Sequence, residues 1–161
     1  MATFERYKQQ HLTGALYTDL DTDLAEIPAD AKDGGRHPLP APEKFGKLLG
    51  RLGITPQSHV VVYDDKNGTN AAARFWWMLR AAGHSNVQVL NGGLQAAIAH
   101  EFPMASDIET AVPVADYPLT EWQLPLAKIN EVEVAALSDA HVVIDVRDAN
   151  RYSGITEPID L

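Results

Sequence analysis

Two adjacent carboxylates, Asp64 and Asp65, stand where an apolar run gives way to a Gly- and Asn-containing loop in VVVYDDKNGTNAAARFWWMLRAAGH, residues 60–84. A side chain displayed at a strand's end, ahead of a helix, faces backbone N–H groups, and such loops hold anions and nucleophiles. Here the position that could present a nucleophile holds a carboxylate, and cysteine does not occur in the chain.

These groups need a scaffold, and the pattern of elements predicts one. His59–Tyr63 is a short β-branched apolar run of the kind buried on both faces of a sheet, and Val87–Leu90 is a second. Phe45, Leu48, Leu49 and Leu52 fall at helical spacing between Glu43 and Leu52, with Pro42 in the first turn and Gly53 at the end. A further helix is expected from about Asn70 to Ala82, capped by Thr69 or Asn70 and stopped by Gly83, and another from Leu94 to His100 after Asn91-Gly92-Gly93. Trp76 and Trp77, beside Phe75 and Met78 in the middle of that longer helix, read as core and interface rather than a cofactor box. Strand, helix, strand, helix with short glycine turns is the signature of an α/β parallel sheet flanked by helices. Ala15–Leu20 is expected to be extended within an otherwise loop-rich stretch. Residues 101–126, with Pro103, Pro113, Pro118 and Pro125, read as a linker or extended surface segment. Ile129–Leu137 is expected to be a helix with Asn130 as a possible cap, and Ala140–Val146 a third buried strand, with Arg147 at its end pairing Asp145 or another local acid.

Composition sets outer limits. A chain of 161 residues is one domain or one domain and a piece of another, and 45% hydrophobic content is enough for a core. A net charge of −9 argues against nucleic acid or an anionic membrane as partner, while leaving room for a local cationic pocket. No apolar run approaches the ~20 residues of a membrane span, and the first ten residues lack the plan of a signal peptide; a cytoplasmic location is the expectation.

A faint repeat joins the two ends. Aligning Arg151-Tyr152 with Arg6-Tyr7 sets Met1 opposite Val146, so the chain starts where a strand like HVVIDVR would have finished. From this follows the expectation that Ala140–Val146 could enter the first domain's sheet, within the chain or by strand exchange in a dimer.

The segments HLTGALYTDLD (11–21), GRHPLPAPEKF (35–45), LGITPQSHVVVYDD (52–65), AAARFWWMLRAAGH (71–84), VQVLNGGL (87–94), VVIDVRDANRYSG (142–154) and EPID (157–160) together resemble the tandem-domain rhodanese family, the thiosulfate and 3-mercaptopyruvate sulfurtransferases. The resemblance implies a rhodanese-like parallel sheet flanked by helices and truncated at both ends. Residues 1–105 are similar to the non-catalytic domain lacking its first strand, 106–130 to the inter-domain linker, and 131–161 to the start of the second, catalytic-type domain. It implies sulfur transfer from thiosulfate or 3-mercaptopyruvate to a thiophilic acceptor in the full-length protein, with no metal or cofactor. The partners implied are a small anionic sulfur donor and a missing C-terminal catalytic domain.

Asp64 matches the position of the family's cysteine, so this chain is expected to be inactive alone; the alternative is a cysteine-less scaffold or binding module. Arg151 matches an arginine that binds the anionic donor, the other reading being a surface arginine. His37 and Asp21 match an accessory histidine–aspartate pair of mercaptopyruvate-type members, although GRHPLP also suits a histidine that merely closes a proline-rich loop. Asp65-Lys66-Asn67-Gly68-Thr69 also resembles the DxDGT loop of Mg²⁺-dependent phosphotransferases of the haloacid dehalogenase type. Asn67 stands there at the acid/base position, which an amide cannot fill.

Overall fold

A computed structural model describes residues 3–30 and 34–156 of the chain. Its elements are α1 (Thr3–Gln9), β1 (His11–Leu12), α2 (Pro42–Arg51), β2 (Val60–Val62), α3 (Ala71–Ala81), β3 (Val87–Val89), α4 (Gly93–Ala99), β4 (Met104–Ala105), α5 (Ile129–Ala136) and α6 (Ala149–Tyr152). They fall into two compact units, residues 1–124 and 125–161.

In the first unit β2 and β3 pair in parallel, Val60 with Val87 and Val62 with Val89. The crossover between them is α3, the arrangement that parallel strands require. A second ladder joins β1 to β4 in antiparallel register, His11 opposite Ala105; the sequence reading held no counterpart of it. The helices bury the faces their spacing predicts: Phe45, Leu48 and Leu49 of α2 meet Phe75, Met78 and Leu79 of α3 in one apolar cluster with Leu24 and Val87. Phe45 and Phe75 meet edge to face at 5.6 Å between ring centres, a geometry aromatic rings favour. Trp77 packs against this core while Trp76 is at the surface.

α1 was not expected. Phe4 and Tyr7, three residues apart on one helical face, group with Tyr17, and Tyr7 stacks on buried His11 at 4.0 Å. His11 Nδ1 lies 2.8 Å from the Tyr7 carbonyl oxygen, a structural role for this histidine.

The proline-rich segment after β4 is a strap laid over the helices. Val114 N–H donates to Gly50 O at 2.9 Å, Tyr117 N–H to Gly46 O at 3.1 Å and Gln123 N–H to Ala81 O at 2.6 Å. Its backbone comes so near α2 that a Cβ built on Gly46 would stand 2.7 Å from the Tyr117 carbonyl oxygen, and one on Gly50 2.9 Å from that of Ala115. Glycine in mid-helix is normally a cost of up to about 1 kcal/mol; here it makes room for the strap, whose Tyr117 and Leu119 side chains join the core.

Three expectations need correction. Val61 is 52% exposed, so β2 is covered on one face only, because in this unit the helical core meets Val60 and Val62 alone. Ala140–Val146 is not a buried strand: Val142, Ile144 and Val146 are 84, 75 and 92% exposed, and the segment joins no ladder among the described residues. A single strand without a neighbour has no hydrogen-bonding partner to hold it in a sheet. At α5 the start is Lys128, whose N–H is bound by the Glu131 carboxylate at 2.6 Å, so Asn130 is no cap. Arg147 does pair with Asp145, Nε to Oδ2 at 2.8 Å. The EPID segment lies outside the described residues.

The strap geometry gives a direct test. Gly46→Ala should gain helix propensity yet destabilise the protein by about 1–3 kcal/mol, since the added methyl collides with backbone that cannot yield cheaply. Urea unfolding monitored by tryptophan fluorescence reads the sign; a stabilised variant would show that the strap does not pack as described.

Candidate functional site

The loop between β2 and α3 is built around one carboxylate. Asp64 Oδ1 accepts the N–H groups of Lys66 at 2.8 Å and Gly68 at 2.7 Å, while Oδ2 accepts those of Asn70 at 2.9 Å and Ala72 at 3.1 Å. Four amides thus converge on one half-buried side chain. Two of them belong to the start of α3, whose unsatisfied N–H groups and positive dipole end favour an anion. The cap expected from Thr69 or Asn70 is therefore not what closes this helix: Asn70 occupies the N-cap position, but its side chain makes no cap bond and Asp64 supplies the acceptor from six residues upstream. Burial by itself pushes the Asp64 carboxyl up, but the four amides outweigh it and hold the group below the usual carboxylate range.

The turn depends on glycine at two places. Gly68 has φ +81°, and a Cβ there would lie 2.8 Å from Val89 Cγ1. Gly93, at the start of α4, has φ +57°, and a Cβ there would lie 2.5 Å from the Asp64 carbonyl oxygen. That close approach lets Leu94 N–H donate to Asp64 O at 3.0 Å, so α4 closes the loop from the other side. Asp65 turns away from the amides and forms an ion pair with Arg6 of α1, and its carbonyl oxygen accepts from Gln95 Nε2 at 2.7 Å.

A second group of acids lies on the segment leading from β1. Asp19 accepts from the N–H groups of Asp21 at 2.9 Å and Thr22 at 3.0 Å and from Tyr17 Oη at 2.9 Å. Burial opposes ionisation of Asp19, and these donors together bring its pKa down; burial, then the same carboxylate, pushes the Tyr17 hydroxyl up. Together with β2, this segment lines a cavity of about 800 Å³ that also reaches Asp64 and Asp65, within the range of ordinary binding clefts.

Of the residues singled out by sequence, Asp21 and His37 are brought together, His37 Nε2 lying 2.8 Å from Asp21 Oδ1, with both side chains partly open to solvent. Arg151 sits in α6 of the second unit, its N–H bound to the Asp148 carboxylate that caps that helix. Arg74 reaches across the first unit, donating from Nε to Leu24 O at 2.9 Å and from Nη2 to Pro38 O at 3.0 Å. Among the described residues no group of three or more His, Cys, Asp or Glu is placed to hold a metal ion, and no helix is long and apolar enough to cross a membrane.

An α/β unit with helices on a parallel ladder and an anion cradle at the strand-to-helix loop is the class these features define. A model of the rhodanese-like domain matches residues 2–100, and the chain belongs to that family. It is 31% identical over 153 residues to 3-mercaptopyruvate sulfurtransferase of Homo sapiens, covering 94% of this chain and 49% of that protein. It is 35% identical over 156 residues to thiosulfate sulfurtransferase of Mus musculus, covering 96% and 50% respectively. In three dimensions it is similar to 3-mercaptopyruvate sulfurtransferase from Leishmania major, with TM-score 0.79 and 28% identity over 93% of this chain and 40% of that one. The chain spans about half the length of the curated relatives it matches.

Two outcomes follow for Asp64. Asp64→Ala leaves several amides without their acceptor and should cost about 2–3 kcal/mol, Asp64→Asn less, because an amide oxygen still accepts. Folded-state pKa values below the unfolded ones, here at Asp64 and Asp19, mean stabilisation that is complete above the unfolded carboxylate value near ~3.9 and is lost as pH falls through the folded values. Urea titrations between neutral and acid pH should therefore show declining stability, with a shallower decline in Asp64→Asn.

Proposed function

We propose that this chain is the non-catalytic half of a rhodanese-type sulfurtransferase, silent in sulfur transfer by itself. The observation that carries this reading is the Asp64 carboxylate held by four backbone N–H groups in the loop where the family resemblance sets a cysteine. In the transfer chemistry a thiolate attacks the donor's outer sulfur as the bond from that sulfur to the rest of the donor breaks. The remainder leaves with the electron pair (sulfite from thiosulfate, pyruvate from 3-mercaptopyruvate), and the resulting persulfide passes its outer sulfur to a thiophilic acceptor as the thiolate is released. A ring of amides lowers a thiol's pKa and stabilises the thiolate. Here the same ring is filled by an oxygen anion that can form no persulfide, so the loop keeps its geometry without its chemistry.

The partner of this unit is then the cysteine-bearing second domain, and the substrate of the whole protein is a small anionic donor such as thiosulfate or 3-mercaptopyruvate. On this reading residues 1–105 form the non-catalytic domain, 106–130 the linker and 131–161 the opening of the catalytic-type domain. The strap supports a firm seat for the linker's first part, since residues 112–123 are hydrogen-bonded onto α2 and α3. Arg151 is the donor-binding residue, its planar guanidinium matching a carboxylate or thiosulfate with paired N–H groups. The Asp21–His37 pair is the accessory proton-handling group, the carboxylate fixing the imidazole. A cysteine-less binding module is the second reading, and the filled cradle supports it equally for the chain taken alone.

A thiosulfate:cyanide assay on the chain should give no thiocyanate above buffer; turnover would contradict the assignment. Asp64→Cys should carry a thiol titrating below its ordinary value of about 8.5, read from the pH dependence of iodoacetamide alkylation. A thiol titrating at or above that value would mean that the loop is not a thiolate cradle.

A further inference from the structure

The sequence holds two Asn-Gly steps, Asn67-Gly68 and Asn91-Gly92, one in the loop around Asp64 and one in the turn that leads into α4. Asn-Gly is the step at which an asparagine amide is most readily lost. The main-chain nitrogen of the glycine attacks the asparagine Cγ, and no side chain on the glycine stands in its way. The new N–Cγ bond closes a cyclic succinimide, the Cγ–Nδ2 bond breaks, and Nδ2 leaves as ammonia with the proton given up by the glycine N–H. Water then opens the ring at either carbonyl, giving aspartate or, with the main chain rerouted through the side chain, isoaspartate. Nothing is oxidised or reduced, and water is the only reactant consumed. Attack requires that the glycine N–H be free to give up its proton. A carboxylate that already accepts this N–H holds the nitrogen in place and opposes the negative charge developing on it.

The two steps differ at that atom. Both asparagines are exposed. Gly68 N–H, however, donates to Asp64 Oδ1 at 2.7 Å, and Gly68 is itself buried, with a built Cβ only 2.8 Å from Val89 Cγ1. Gly92 lies in the turn that Gly93 N–H closes on Leu90 O at 2.9 Å, and among the described residues the Gly92 N–H has no acceptor and the Asn91 side chain no hydrogen bond.

We infer that Asn91 is a site of spontaneous deamidation, and that Asp64 protects Asn67 from the same reaction by occupying the Gly68 N–H. The product acts on the Asp64 loop. Gly93 comes so close that a Cβ there would lie 2.5 Å from the Asp64 carbonyl oxygen, and Leu94 N–H donates to that oxygen at 3.0 Å. An isoaspartyl link at position 91 lengthens the main chain by a methylene just ahead of this contact and unfastens α4 from the loop. The inference rests on the hydrogen bonds of the two turns and is independent of sulfur transfer.

Peptide mapping by mass spectrometry tests it. Folded protein is incubated at mildly alkaline pH in water enriched in heavy oxygen, which marks the conversions that occur during the incubation. Asn91 should convert to aspartyl and isoaspartyl forms, and Asn67 should convert more slowly by on the order of tenfold, the effect on a rate of one charge-assisted hydrogen bond. In concentrated urea, where Asp64 no longer meets Gly68, the two sites should convert at comparable rates, and in Asp64→Ala the rate at Asn67 should rise toward that at Asn91. In the isoaspartyl form, separated by chromatography, the Leu94 amide should exchange with deuterium faster than in the unmodified protein. Equal rates in the folded wild type, an Asn91 that stays intact while both sites convert in urea, a difference that persists in urea, or an unchanged Leu94 amide in the isoaspartyl form would each overturn the inference.

Discussion

Everything around the candidate site depends on one carboxylate satisfying four amides. Without Asp64 the first turn of α3 would have exposed donors, and the Lys66–Asn70 loop would have no centre to fold around. Charge-assisted bonds of this kind are the stronger ones in proteins, and a helix N-terminus adds its own field. The neighbouring elements have shaped themselves to that loop: Gly68 and Gly93 carry no side chain because there is no room for one, and α4 begins against the Asp64 carbonyl. Asp65, one residue on, is tied to Arg6 and ties the loop to α1.

The same arrangement gives the β2–α3 loop a structural reason for its shape. A loop that converges amides on a point stabilises whatever anion stands there, thiolate or carboxylate. With a thiolate the loop serves chemistry; with a carboxylate it serves the fold. The chain spans about half the length of the curated relatives it matches. In the chain itself, the strap hydrogen-bonded over α2 and α3 and the core of Phe45, Phe75, Met78 and Leu79 hold the first unit together.

Much of this was legible in the sequence, and the exceptions are instructive. α2, α3 and α4 lie within a residue or two of their expected ends, because spaced apolar residues and glycine stops act locally. Asp64 drew attention in the sequence, but not as a cap, since its partners lie two to eight residues away and propensity points to Asn70. Arg74 was missed because a guanidinium bound to two main-chain carbonyls leaves no complementary acid in the sequence to find. α1 was missed because Tyr7 alone is buried among its described side chains, too little for a periodic signal, and because the ring it and Phe4 meet, Tyr17, lies in another segment. For Ala140–Val146, composition named a strand, but a strand exists only by pairing, and composition says nothing about where a neighbour will be.

The account rests on the ionised state of Asp64 inside its cradle. The most direct measurement is the titration of its side-chain carbonyl carbon by ¹³C NMR in the intact protein. The account predicts a midpoint clearly below the ordinary value of about 3.9, with the amide protons of Gly68 and Asn70 shifting over the same transition. A midpoint at or above that value, or amides that do not follow it, would mean that the four donors do not hold a carboxylate and that the cradle is not what organises this loop.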